Sequence, residues 1–174
     1  MSKRTIIVYW LMPARDEREL FCDIIWILYR DFHAPDFDPH LTIFATQEDR
    51  QSPRKILNQM RSAPIRLRVR GVGFSSQFRK TLFIRFVPSK PLNNLIIDLA
   101  RATKSPAKPV RDLHLSLLYK NISVATKREL ARTIKLPFRE VLFDSIAAVR
   151  CVSPTKVKAD VEAWRMVARK SLRE

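Results

Sequence analysis

The sequence predicts a single α+β domain over residues 1–174, built from antiparallel strands and amphipathic helices. Its length and its composition, 46% hydrophobic and 29% charged residues, suit one compact domain rather than two. Period-two and helical patterns alternate along the chain. A helix, a loop and a strand that opens with His-Leu occur twice, at His40 and at His114. This repetition indicates two similar lobes that face each other.

The first third of the chain predicts strand, helix, strand. Residues 5–11 are β-branched and aromatic, which favours a strand that ends before Pro13. Asp16 and Glu17 suit the first turn of a helix, where negative charge meets the positive end of the helix dipole. Apolar residues then follow at helical spacing to about residue 30. After a loop between Pro35 and Pro39, residues 40–44 predict the second strand.

The remaining elements are predicted from the same signals. Ser52 and Pro53 begin a helix over 52–62, since proline suits the first helical position. Gly71 and Gly73 mark the end of the next strand or a bulge in it, and Thr126 is expected to cap a helix to residue 133. The expected strands are 65–70, 81–87, 114–119, 138–151 and 161–169, with another amphipathic helix over 91–103.

The chain is strongly basic. It carries 33 lysines and arginines against 17 acidic residues, a formal charge of +16, which favours partners that bear phosphate: nucleic acid first, an acidic membrane surface second. A solvated basic surface is the alternative. No apolar run approaches the ~20 residues of a membrane helix, and the N-terminus does not resemble a signal peptide. Cys22 and Cys151 form no CxxC motif and suit buried positions in a reduced compartment. We therefore expect a cytoplasmic monomer with no membrane association.

One segment concentrates positive charge on a strand. In residues 65–70, alternation directs Arg66, Arg68 and Arg70 to one face and the aliphatic residues to the other. Neighbours on that face are about 6.6 Å apart, so an RNA strand could follow the row. The row is therefore a candidate RNA surface, and a solvated outer face is the alternative.

The two His-Leu strands carry the most specific chemistry. Residues i and i+2 of a strand share a face, so His40 projects with Thr42, and His114 projects with Ser116. One imidazole, when neutral, can take a proton from water. The other, when protonated, can give a proton to the departing oxygen. The hydroxyls can donate to non-bridging phosphate oxygens. This set predicts phosphodiester cleavage with no metal and no cofactor. The third histidine, His33, is expected in a solvent-facing loop.

These two motifs, His40-Leu41-Thr42-Ile43 and His114-Leu115-Ser116-Leu117, resemble the signatures of the 2H phosphoesterases. The segments around Trp10-Leu11-Met12-Pro13, Pro35 to His40 and Trp164 are similar to the cyclic phosphodiesterases of plant and yeast type. The resemblance implies two pseudo-symmetric lobes, each with an antiparallel sheet flanked by helices, and an active cleft between them. It implies hydrolysis of a nucleoside 2′,3′-cyclic phosphate or of ADP-ribose 1″,2″-cyclic phosphate.

By motif match, His40 and His114 would be the acid–base pair, and Thr42 and Ser116 would hold the phosphate. Trp10 and Tyr119 align with aromatic positions near the substrate, although alternation places Tyr119 on the face opposite His114. Two alternatives stay open. One is an RNA end-processing enzyme resembling the 2′-5′ RNA ligase-like branch, and the other is a non-catalytic RNA-binding module. The assignment of acid and base between the histidines also stays open.

Overall fold

The structure is a computed structural model, and it describes residues 3–47, 51–107, 110 and 112–173. These residues form seven strands and five helices in the following order: β1 Arg4–Pro13, α1 Arg15–Phe32, β2 Leu41–Gln47, α2 Pro53–Gln59, β3 Ile65–Phe74, β4 Leu82–Phe86, α3 Lys90–Thr103, β5 His114–Leu118, α4 Val124–Thr133, β6 Glu140–Ser153, α5 Lys158–Glu162 and β7 Arg165–Ser171. The α+β class predicted from the sequence is confirmed.

All the strand pairings are antiparallel and join the strands in one sheet of order β1-β2-β5-β4-β3-β6-β7. The long strand β6 pairs with β3 through its first residues and with β1 through the rest, so six strands close a ring. The two His-Leu strands, β2 and β5, are neighbours in this order. Each completes a strand-helix-strand unit, β1-α1-β2 or β4-α3-β5, as the repeat predicted.

Helices α1 to α4 contribute to the main buried cluster on one face of the sheet. Phe21 and Ile25 of α1 and Leu95 of α3 pack with Leu41 of β2 and Leu115 of β5 in the main buried cluster. Burial of such side chains stabilises the fold by about 1.5–3 kcal/mol each relative to exposure. A smaller cluster on β1 and β6 comprises Val8, Trp10, Met12, Ala147, Val149 and Cys151. Among the described residues, no helix is long and apolar enough to cross a membrane.

Three local expectations are corrected. The residues expected at the start of the final strand form α5 instead, and the last strand begins only at Arg165. Ser123, not Thr126, caps α4, because the Ser123 hydroxyl accepts the Thr126 backbone N–H at 3.1 Å. The strand predicted over 65–70 continues to Phe74, and the bulge between Val69 and Gly71 confirms the second of the two alternatives predicted for the glycines. His33 is exposed at the end of α1, as predicted.

The bulge also corrects the arginine row. Ile65 and Leu67 are 1% exposed, and all three arginines point to solvent, as alternation predicted. Against β4, however, β3 advances two residues, from Val69 to Gly71, while its partner advances one. This extra residue interrupts the alternation at Arg70. Strict alternation therefore keeps only Arg66 and Arg68 in one row.

Candidate active site

The two histidine motifs come together on one face of the sheet. Leu41 of β2 pairs with Leu115 of β5 in antiparallel register, and both leucines are fully buried under the helices. Extended by one residue to either side, that register puts His40, the residue just before β2, across from Ser116, and puts Thr42 across from His114. By alternation all four side chains then lie on the face opposite the two leucines. Directly opposed residues of antiparallel strands are about 5 Å apart. Two imidazoles and two hydroxyls therefore surround one small area, which we call the site face.

Both imidazoles are oriented by the same type of contact. Nδ1 of His40 lies 2.7 Å from the Asp38 carbonyl oxygen, and Nδ1 of His114 lies 2.9 Å from the Asp112 carbonyl oxygen. A carbonyl oxygen can only accept, so each Nδ1 carries the proton and donates it. In the neutral ring, Nε2 then keeps its lone pair and is free to exchange a proton with a substrate.

Aromatic rings enclose His40. Its ring stacks on Trp10 with centroids 3.6 Å apart and planes 14° from parallel. The rings of Trp164 and Phe37 lie edge-on to it, with centroids 5.6 and 6.1 Å from the His40 centroid. Burial lowers the pKa of His40 to about 4, assisted by the nearby His114 and opposed by the Asp38 carbonyl. His40 is therefore neutral at pH 7, as a general base requires.

Cations surround His114 instead. Its ring and the Phe83 ring are arranged edge to face, with centroids 5.6 Å apart. Burial lowers its pKa to about 4, and the positive charges of Lys80, Arg79 and Arg85 lower it in the same direction. The two histidines thus share an orientation and differ in their surroundings, which are apolar for one and basic for the other.

The two hydroxyls differ as well. Thr42 is exposed, and its strand neighbour in β1 is Trp10. Ser116 is 3% exposed, and its Oγ donates to the Arg79 carbonyl oxygen at 2.9 Å. A hydroxyl can rotate its proton to a new acceptor. Ser116 can therefore donate to a phosphate oxygen only when it gives up the Arg79 carbonyl.

The two candidate aromatic contacts both lie beside this site. Trp10 is 4% exposed and supports the His40 ring from behind. Alternation predicted Tyr119 on the face opposite His114, but the structure places it beside the site. The reason is that β5 has a register shift before Leu118 and ends at that residue. Its ring lies 4.4 Å from Phe37 and 5.5 Å from Trp164, and burial raises its pKa strongly. A substrate contact by either residue stays a prediction.

Sequence reasoning missed the neighbours that β4 supplies. Phe83 pairs with Ser116 and Arg85 pairs with His114, so both side chains lie on the site face. The only sequence signal was their period-two spacing, which does not say which strand lies beside β5. Lys80, from the short 3-10 turn Phe78–Lys80, ion-pairs with Asp112 next to His114.

Comparison with known proteins identifies the fold. No protein family model and no curated protein sequence matches the chain. Among solved structures, E. coli LigT complexed with 3′-AMP is similar at a TM-score of 0.59 and 15% identity, over 99% of this chain and 100% of that one. A structure described as a phosphoesterase gives 0.59 at 16% identity, over 98% and 99% of the two chains. The protein TT0787 of Thermus thermophilus gives 0.54 at 19%, over 97% and 98%. The chain thus shares the fold of LigT over nearly its full length.

Proposed function

We propose that this protein is a metal-independent cyclic phosphodiesterase that hydrolyses a nucleoside 2′,3′-cyclic phosphate or ADP-ribose 1″,2″-cyclic phosphate. The observation that carries the proposal is the arrangement of His40, Thr42, His114 and Ser116 on one sheet face, with both Nδ1 atoms tied to carbonyl oxygens. In this proposal the β1-α1-β2 and β4-α3-β5 units form the two lobes, and the active cleft lies between them.

The proposed reaction needs two proton transfers on opposite sides of one phosphorus. Nε2 of one histidine takes a proton from water as the water oxygen bonds to phosphorus. The bond from phosphorus to a ribose oxygen breaks, and the other histidine, protonated at Nε2, gives that oxygen its proton. Thr42 and Ser116 donate hydrogen bonds to the non-bridging oxygens, where negative charge grows in the transition state.

The ligands bound by a structurally similar protein support a nucleotide substrate. LigT was crystallised with ATP, with 3′-AMP and with NADP+. The aromatic cluster beside His40 offers ring faces and edges on which a base can stack. A cyclic nucleotide would place its phosphate between the histidines.

A second candidate is an RNA end-processing enzyme with the same chemistry. The positive charges of Arg79, Lys80 and Arg85 around His114 favour it, because one phosphate does not need three cations. The net charge of +16 agrees with a polyanionic substrate. A non-catalytic RNA-binding module is the outcome if no cyclic phosphate is turned over.

The deciding experiment is turnover of adenosine 2′,3′-cyclic phosphate, ADP-ribose 1″,2″-cyclic phosphate and an RNA with a cyclic phosphate end, each with EDTA. We expect turnover in EDTA, and a kcat lower by about 10²- to 10⁴-fold in His40→Ala and in His114→Ala. His33→Ala is the matched control, since His33 is exposed at the end of α1, and should retain wild-type kcat. Wild-type kcat in a folded His40 or His114 variant contradicts that histidine's role. Activity that EDTA removes and zinc restores contradicts the metal-independent mechanism.

A further inference from the structure

The basic side of the site is built by strand register. Across the site face, His114 of β5 pairs with Arg85 of β4, and Arg85 pairs with Gly71 of β3. In the adjacent row, Ser116 pairs with Phe83, and Phe83 pairs with Gly73. Neighbouring strands are about 4.8 Å apart. Arg85 therefore begins one strand beyond His114, on the side away from His40.

Two cations converge on the ring of Phe83. Lys80 Nζ lies 4.6 Å from the ring centroid, and Arg85 Cζ lies 5.3 Å from it. Arg79 lies beside them, since its backbone carbonyl oxygen accepts the Ser116 hydroxyl and its positive charge lowers the pKa of His114. Cations within about 6 Å of a ring are attracted by it, which fixes their position. The Lys80 and Arg85 charges are thus positioned by the Phe83 ring, next to His114.

Glycine on β3 lets these side chains lie flat. A Cβ at Gly73 would come within 3.0 Å of two Phe83 ring atoms and 3.4 Å of Arg85 Nε. Gly73 lies across from Phe83 and leaves this space. Gly71 lies across from Arg85, but a Cβ there would meet no atom within 4 Å, and glycine suits its φ of +141° instead. The Phe83 ring and the Arg85 guanidinium therefore rest against the β3 backbone beside the site.

Positive charge is in excess at this place. Lys80 pairs with the Asp112 carboxylate. Within the described part of the chain, that is the one carboxylate that pairs with Lys80, Arg79 or Arg85. Three cations against one anion leave two positive charges beside a phosphodiester site. A guanidinium binds phosphate with two parallel hydrogen bonds, so the excess suits a second phosphate.

We propose that Arg85, Lys80 and Arg79 bind a second substrate phosphate, carried on the 5′ oxygen of the ribose that bears the cyclic phosphate. This inference rests on the proposed function and specifies its substrate class. An RNA end has such a group as its last internucleotide phosphate, and ADP-ribose 1″,2″-cyclic phosphate has it in its pyrophosphate. A bare nucleoside cyclic phosphate lacks it.

The test compares substrates that differ only in that phosphate. Adenosine 2′,3′-cyclic phosphate is measured beside its 5′-phosphorylated form. The readout is kcat/KM for the 5′-phosphorylated form divided by kcat/KM for the unphosphorylated form. We expect a ratio of about 10 to 100 in the wild type, the range of one hydrogen bond between charged groups. In Arg85→Gln the ratio should fall toward one. Arg101→Gln on α3, an exposed arginine paired with Asp98, is the charge-matched control and should keep the wild-type ratio.

Two further arms identify the source of the phosphate. A dinucleotide with a cyclic phosphate end represents RNA, and ADP-ribose 1″,2″-cyclic phosphate represents the pyrophosphate. A gain in kcat/KM over the mononucleotide with either one supports the subsite and names its source. A ratio near one in the wild type, or an unchanged ratio in folded Arg85→Gln, overturns the subsite and leaves the proposed function standing. Failure to hydrolyse any cyclic phosphate instead overturns the proposed function. Lys80→Gln is measured too, but Arg85 decides because its exposed side chain leaves folding intact.

Discussion

The pH dependence of kcat/KM follows directly from the two buried imidazoles. In the free protein both His40 and His114 have a pKa of about 4, below the ordinary 6.5, because burial disfavours the charged ring. The proposed reaction needs one ring protonated and the other neutral. At pH 7 a group with a pKa of about 4 is protonated in a fraction on the order of 10⁻³. The competent form of the free enzyme is therefore scarce at neutral pH.

Acidification should increase this form. Each decrease of one pH unit below pH 8 raises the protonated fraction of a histidine ring about tenfold, until the pH approaches the pKa of the ring. Because kcat/KM reports the free enzyme, it should increase about 100-fold between pH 7 and pH 5. In the complex, a phosphate anion between the rings favours the protonated imidazole and raises its pKa. The profile of kcat should therefore decline at a higher pH than that of kcat/KM.

The assay is initial-rate hydrolysis of adenosine 2′,3′-cyclic phosphate from pH 4 to 8 at constant ionic strength, below KM and at saturation. Circular dichroism at each pH is needed, because a buried neutral histidine with a lowered pKa destabilises the fold as pH falls below 6.5. Arg85→Gln removes one cation beside His114. It should move the decline in kcat/KM to higher pH, while Arg101→Gln should not. A kcat/KM that is constant from pH 5 to 8, or greatest near pH 7, refutes the reasoning.

Two other predictions test the support of His40 and the basic surface. Trp10→Leu should lower kcat about 10- to 100-fold with little change in KM, because the ring stacked at 3.6 Å positions His40; Trp10→Phe should recover most of the loss, and the exposed Trp26→Leu should have no effect. An unchanged kcat in folded Trp10→Leu contradicts this role. Replacing Arg66 and Arg68 by glutamine should flatten the salt dependence of RNA affinity by a slope of up to about 0.7 per lost phosphate contact. Binding measured across a salt series checks this, and an unchanged slope means that the two arginines are only a solvated surface.

Local patterns alone determined much of this protein. Period-two spacing was enough to put His40 with Thr42 and His114 with Ser116, because side-chain direction alternates along any strand. The same rule correctly directed Ile65 and Leu67 into the core and Arg66 to solvent. The predicted order of elements failed only where α5, five residues long, replaced the start of the last strand. So short a helix leaves little periodic pattern in the sequence.

Tertiary structure decided which groups meet. The sequence does not state that β4 lies beside β5, so the contacts of His114 with Phe83 and Arg85 followed only from the pairing. Register shifts decided the exceptions to alternation: one removed Arg70 from its row, and one, with the end of β5, brought Tyr119 to the site. The physical reason is that alternation is a property of one strand, whereas pairing, bulges and strand ends depend on the packing of the whole sheet.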